Sequence, residues 1–492
     1  MNILLRADCV KINGRNVKLM RLNESIVYEE ANNVDVLCLE YKLGYTQGLG
    51  TTLGDGLGGK EDNQNDDTFK YGLPRIYLAD DVYYYPSDSD EYAMEVTLDD
   101  GTVISDPDGD PDIDIMGIEI EHIYKVRIKL PMNTIGIRFS PYRYPGSISM
   151  MSSDFSGMLY CDTSNFTTME YMFERCVSRT LHLWSFNTSK VTNMYHMFDN
   201  CSVDRIDLSS FDTSSVVNMA GMFHNCSVKE LDVSNFNTSN VTEIDGLFNG
   251  CRYIPNLDLS NFNLNKVGNL ASLFSGCNKL ANVKLPSLPN GNITDIRGMF
   301  SSCSSLTSLD LSKLNGLNIT YMNATFSGCS SLTSLDLSKL NAINAEDMGY
   351  MVANCPNLRN ININFNNMRA KIMRNMFEGC SSLESLDLSN WVIVNATNMR
   401  YMFNGCSSLT SLDISNFDLG GTNGNPSLDD IFKGCTSLEF IRCKSINTIM
   451  LLADYLPDRT STTKGTIEVP GADISDMNMS KFTELNWKIV TG

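Results

Sequence analysis

From about residue 160 to residue 446 the chain alternates two hydrophobic periods inside one short unit, which recurs eleven times with drift; Met399 to Phe417, MRYMFNGCSSLTSLDISNF, is a clear copy. Half of each unit has helical spacing. Met194, Met197, Phe198 and Cys201 stand at i, i+3, i+4 and i+7, a pattern that puts all four on one face of a short helix. The other half has a period of two, as in Leu231-Asp232-Val233 and Leu335-Asp336-Leu337. There the outer pair faces inward and the aspartate faces solvent. A Ser-x-Phe or Asn-x-Trp and a polar turn follow, with Ser189 and Ser239 as candidate helix N-caps.

The cysteine that closes each copy measures the repeat. It falls at 176, 201, 226, 251, 277, 303, 329, 355, 380, 406 and 435, so every interval is 25 or 26 residues except the last, of 29. A unit this short cannot bury its own apolar face. Stacked on its neighbours, it builds one continuous core with a parallel strand from each copy. At ~4.8 Å per strand step, eleven strands span roughly 50 Å. The wider last interval holds the insertion Gly420 to Pro426, a loop a solenoid accepts on one face.

Outside the repeats the pattern changes. Residues 1–145 read as an all-β domain. A hairpin is predicted where Ile3–Ile12 and Val17–Leu22 flank Asn13-Gly14. Further strands are expected at 34–41, 75–78, 82–85, 91–98, 113–120, 123–130 and 135–139. The glycine-rich, then acidic run 48–67 reads as a loop. After Pro141 to Gly146, residues 147–172 look like an incomplete first repeat, as expected of a terminal copy. Residues 447–492 read as a cap, with a helix from Ile446 stopped by Pro457 and strands at Thr466–Val469 and Trp487–Val490. The expected organisation is a β-rich attachment domain (1–145), a repeat solenoid (146–446) and a C-terminal cap (447–492).

The pattern C-S-S-L-x-x-L-D-L-S-x-F…V-T-x-M-x-x-M-F resembles the BspA-type leucine-rich repeats of bacterial surface proteins, also abundant in mycoplasma lipoproteins. The resemblance implies an α/β leucine-rich-repeat solenoid used for adhesion and recognition, with no catalytic residues to carry over. Departures are local: Val283-Lys284-Leu285-Pro286 lacks the aspartate, Thr325 and Val352 replace core residues, and Ile361-Asn362-Ile363 is atypical.

Composition narrows the partners. With 38 basic and 58 acidic residues the net charge is −20, a surface that repels phosphate backbones and argues against nucleic acid. Of 15 cysteines, eleven are the repeat cysteines, which read as a buried ladder of free thiols packing as small hydrophobes. Neighbours in such a stack come within disulfide reach, ~5 Å between Cα atoms, so occasional bridges stay open, although an odd total excludes complete internal pairing. No segment approaches the ~18 apolar residues of a membrane span. The opening MNILLRADCV does not read as a signal peptide, because Arg6 and Asp8 interrupt its apolar run. As a lipoprotein box it has Asp8 where a small residue is needed.

Candidate chemistry is sparse. Gly54 to Lys60, GDGLGGK, fits the first seven positions of a P-loop, but Glu61 stands where Ser or Thr must hold magnesium. Asp106 to Asp114 places five carboxylates at alternate positions, a possible calcium loop or a solvated acidic turn. The four histidines (122, 182, 196, 224) fit no hydrolase or metalloprotease motif, and His196 and His224 read as surface residues. The more informative set is the strand aspartates Asp207, Asp232, Asp258, Asp310, Asp336, Asp387 and Asp413. They line one sheet face, where like charges one strand apart are unfavourable. Either the row is simply solvated beside neighbouring serines, or it is a docking surface for a cationic or hydroxyl-rich partner.

The expectation is a non-enzymatic recognition, adhesion or structural protein with no metal, cofactor or membrane insertion. Its partners would be proteins or surface glycans, and the N-terminal domain would dock it to a larger assembly. A surface-type repeat without an export signal favours a phage virion fibre or decoration protein. A bacterial cell-surface adhesin and an intracellular scaffold are the alternatives.

Overall fold

A computed structural model describes residues 163–491, apart from 289–291, 339, 364, 366–369, 394–395, 421–424 and 476, together with ten strand segments between residues 9 and 161. Cys9–Ile12 and Arg15–Leu22 pair antiparallel with Ile12 opposite Arg15. That antiparallel register agrees with the hairpin expected of these two segments. Ser25–Tyr28 adds a third strand. A second, five-stranded antiparallel sheet runs in the order Met158–Cys161, Val36–Tyr41, Ile123–Pro131, Ala93–Leu98, Val103–Asp106. Its edge strand, Met158–Cys161, precedes the first coil in the chain. The strands expected at 75–78, 82–85 and 113–120 and the loop at 48–67 lie outside the described residues.

From there the chain is a β-solenoid of about eleven turns, each of roughly 26 residues, carried by parallel pairing between successive coils. The inward and outward positions match the period-two expectation. Leu335 and Leu386 are buried while Ser334, Asp336, Ser385 and Asp387 are exposed.

The helix-spaced half is not a helix, which corrects the α/β expectation. In the second coil three overlapping turns follow one another: the amides of Met197, Asp199 and Cys201 donate to the carbonyls of Met194, His196 and Phe198. The intervening amides of Met194, His196, Phe198 and Asn200 donate to Asn218, Ala220, Met222 and His224 of the next coil at 2.7–3.0 Å. An α-helix would consume these donors internally and leave the neighbouring coil's carbonyls without them. The geometry depends on two left-handed residues four apart in every coil, from Tyr171 and Arg175 through His196 and Asn200 to Asp430 and Gly434. A positive φ at the third residue of a turn favours Gly or Asn. The residue before the cysteine is Gly or Asn in nine of the eleven coils: Asn200, Asn225, Gly250, Gly276, Gly328, Asn354, Gly379, Gly405 and Gly434. Ser189 and Ser239 are likewise not helix caps. Each donates its amide to the side chain two residues back, Asn187 or Asn237, in a polar turn.

Packing continues coil to coil. Phe173, Phe198, Phe223, Phe248, Phe274, Phe300 and Phe326 stack with centroids 5.2–5.9 Å apart and nearly parallel rings. Val352 interrupts the stack, which resumes at Phe377, Phe403 and Phe432. Thr325, the other core replacement, is fully buried and satisfied by the carbonyls of Met322 and Ile296. The repeat cysteines are buried and free, and they do more than fill space. The Cys201 thiol donates to the Phe173 carbonyl of the preceding coil at 2.8 Å, and Cys303 to Phe274 at 3.1 Å, a contact that recurs down the stack. Burial pushes these thiols up, Cys277 to about 12. On another edge, buried Thr188 and Thr213 each donate a hydroxyl to the next coil and accept an amide back from it.

At the far end Ile446–Leu452 is a helix, capped by the Ser445 hydroxyl accepting from the Thr448 amide. A 3-10 turn carries it to Tyr455, ahead of Pro457. Gly465–Glu468 and Trp487–Val490 then continue the parallel sheet, in the order Ser385–Asp387, Ser411–Asp413, Phe440–Arg442, Gly465–Glu468, Trp487–Val490. Trp487 is buried against Gly465, where any Cβ would meet the indole at 2.5 Å. No helix among the described residues is long and apolar enough to cross a membrane.

Candidate functional site

Pairing of the strands sets the outer row. Parallel register places Asp207 beside His182, Asp258 beside Lys284, Asp336 beside Asn362, Asp387 beside Asp413, and Asp413 beside Arg442. Carboxylates at this position are therefore interspersed with cationic and amide side chains, and the like-charge contact Asp387–Asp413 sits next to Arg442. Lys284 reaches Asp258 at 2.7 Å, and Lys229 reaches Asp204 across the neighbouring coils at 2.6 Å. Both pairs are exposed and screened by solvent, so neither adds much to stability.

Each aspartate of the row also has a local task. The Ser209, Ser234, Ser260, Ser312, Ser338, Ser389 and Ser415 amides donate to the carboxylates of Asp207, Asp232, Asp258, Asp310, Asp336, Asp387 and Asp413, at 2.9–3.1 Å. These are Asx turns, and they explain why serine recurs two residues after the aspartate. Ser209 and Ser260 add their hydroxyls to the same oxygen. Lys284, then Ser260, hold the Asp258 carboxyl down to about 2. Asp232 is lowered by the hydroxyl and amide of Ser234, and Asp310 by the amide and hydroxyl of Ser312. The same lowering occurs at Asp212, Asp458 and Asp473, in turns away from the row. Turn capping alone thus produces the shift, and what marks the row is its repetition in register.

A second cluster was hidden from motif reading. His196 and His224, expected at the surface, converge half-buried on the buried carboxylate of Asp199. His224 Nδ1 lies 2.6 Å from Asp199 Oδ1 and His196 Nδ1 lies 3.1 Å from Oδ2. Burial pushes the Asp199 carboxyl up, but the His196 and His224 imidazoles facing it outweigh this and hold the group at about 2. The repeat itself carried the signal. His224 stands 25 residues after Asp199, two before its own cysteine, so folding must place the two side by side.

Of the other candidates, residues 54–60, the stretch 107–114 and His122 lie outside the described residues. Asp106 ends the strand Val103–Asp106, and His182 ends the strand Val177–His182.

Comparison with known proteins adds one family. A profile described as "Mycoplasma protein of unknown function, DUF285" matches residues 167–287, 282–386 and 354–439, together more than half of the 492 residues. No curated protein matches the chain. Among solved structures, the chain titled "Crystal structure of TLR13-ssRNA13 complex" aligns at 15% identity with a TM-score of 0.23, over 68% of this chain and 62% of that one. This chain thus spans less than two thirds of that protein.

Proposed function

We propose a surface-recognition role for this chain, which belongs to the DUF285 family of mycoplasma proteins. The solenoid works as a non-enzymatic recognition or adhesion element, and its outer strand row is the docking face. One observation carries this reading: carboxylate, amide, hydroxyl and cationic side chains recur at a fixed step, in register, on strands whose backbone is already paired. Multipoint contact with an extended partner needs such a rigid array, because pre-ordered side chains lower the entropy cost of binding. Surface proteins or hydroxyl-rich glycans suit the row. Residues 1–145 would attach the solenoid to a larger assembly, and 447–492 would cover its far end.

A mycoplasma family and a repeat resembling surface proteins favour the cell surface as the setting. A virion fibre or decoration protein, and an intracellular scaffold, draw no support from the family description.

The test is binding of the full chain to an array of glycans and to immobilised cationic peptides. Asn362 already occupies the row naturally, and Asn can cap an Asx turn. The triple variant Asp336→Asn, Asp387→Asn, Asp413→Asn should therefore fold, yet bind at least ~10-fold more weakly, a loss of about 1.4 kcal/mol. Asp458→Asn, away from the row, should bind as the parent does. No binding to either probe set, or equal binding by the triple variant, would overturn the reading.

A further inference from the structure

We propose that His196, Asp199 and His224 form a binding site for one divalent transition-metal ion, zinc foremost, that staples the second coil to the third. Two imidazole nitrogens and a carboxylate oxygen lie within 4.8 Å of one another. Two imidazoles with one carboxylate form a donor set used by zinc and its first-row neighbours, whereas magnesium and calcium prefer all-oxygen sites.

Three further observations point to a ligand. First, His196 Nδ1 is a buried nitrogen with no hydrogen bond, although it lies 3.1 Å from Asp199 Oδ2. A metal ion between them would satisfy that nitrogen. Second, the cluster is already oriented. Asn200 Nδ2 donates to Asp199 Oδ1 at 2.8 Å, and the His196 ring stacks on Tyr171. Partners that fix the orientation of ligands in this way raise metal affinity. Third, there is room by omission. His196 lies over Gly221 of the next coil, where a Cβ would come within 2.4 Å of His196 Nε2. Every ligand in the trio stands on the turn ribbon, whose backbone is bonded across both coils, so the geometry is fixed before the ion arrives. Waters or a partner's side chain would complete the coordination, since three protein ligands converge among the described residues.

Metal occupancy is separable from folding. Equivalent positions in other coils carry Ser272 in place of His196 and Ser275 in place of His224, so the double variant His196→Ser, His224→Ser uses residues the fold already accepts. The experiment titrates zinc, then cobalt(II), into the untagged full chain after chelation, and repeats this with the double variant. The expected result is one ion bound per chain, a cobalt spectrum without thiolate charge transfer, and at least ~100-fold weaker binding by the variant. Chelation should also lower the melting temperature of the parent and leave that of the variant unchanged. No stoichiometric binding by the parent, a thiolate spectrum, or equal binding by the variant would each overturn the site. Failure here leaves the strand-row reading untouched, because His196, Asp199 and His224 all lie off that row.

Discussion

The strand side and the turn side of each coil come from the same 26 residues, yet they hold the molecule together in different ways. On the strand side the outer residues bond locally: an aspartate caps its own turn two residues on, and cross-coil ion pairs are exposed. On the turn side the bonds run between coils, through alternate amides, buried thiols and stacked phenylalanines. Cohesion therefore resides in the paired strand backbone and the turn ribbon, while the outer strand side chains are free to vary in charge. That division suits a recognition module, whose binding face can change without loss of the scaffold.

Substitutions that break this contrast rank by side. The largest loss should follow Phe300→Ala, which opens the ring stack between Phe274 and Phe326. About 3–5 kcal/mol is expected, read by denaturant unfolding, against less than ~1 kcal/mol for Asp387→Ala on the strand row. Next comes the left-handed ribbon. Gly434→Val places a side chain at φ +77 with its Cβ 3.2 Å from the Gly405 Cα, and should cost roughly 1–3 kcal/mol. Gly316 has a similar φ of +82 but open space around it, so Gly316→Ala should cost only about 1–2 kcal/mol, the strain of the conformation alone. Cys303→Ala removes the thiol bond to Phe274 and should cost about 1 kcal/mol. In the native state the twelve buried cysteines from Cys176 to Cys443 should resist maleimide at pH 8 and react on denaturation, because burial keeps them protonated and covered.

Acid sensitivity sharpens the comparison at its weak end. The Asp258 carboxyl is depressed to about 2 by Lys284, so its contribution is complete above the unfolded value of about 3.9. It fades as pH falls from there toward 2. Lys284→Gln should therefore slightly flatten the acid limb of the stability profile, measured by melting temperature between pH 5 and pH 2. An unchanged limb would mean the pair contributes nothing.

Much of this architecture was legible from spacing. The cysteine interval fixed the coil, and Leu-Asp-Leu fixed which residues of the strand face in. What misled was the turn side, because Met194, Met197, Phe198 and Cys201 satisfy helical periodicity and the ribbon alike: both bring i, i+3, i+4 and i+7 to one face. The discriminating residue was the Gly or Asn before nine of the eleven repeat cysteines, as at Asn200 and Gly405, which tolerates positive φ and belongs at the end of a helix rather than in copy after copy. The outer row was found by position, but its capping role lay in the serine two residues later. The His–Asp–His cluster fits no local motif, since its members are close only when residue numbers are compared one repeat apart.

The most direct measurement of the central claim is methyl–methyl Overhauser spectroscopy on protein labelled only at methionine. Coils bonded side by side through the turn ribbon should give cross-peaks between Met194 and Met219 and between Met197 and Met222, each pair one repeat apart. Cross-peaks confined to Met194 with Met197 and Met219 with Met222, as isolated helical turns would produce, would contradict the account.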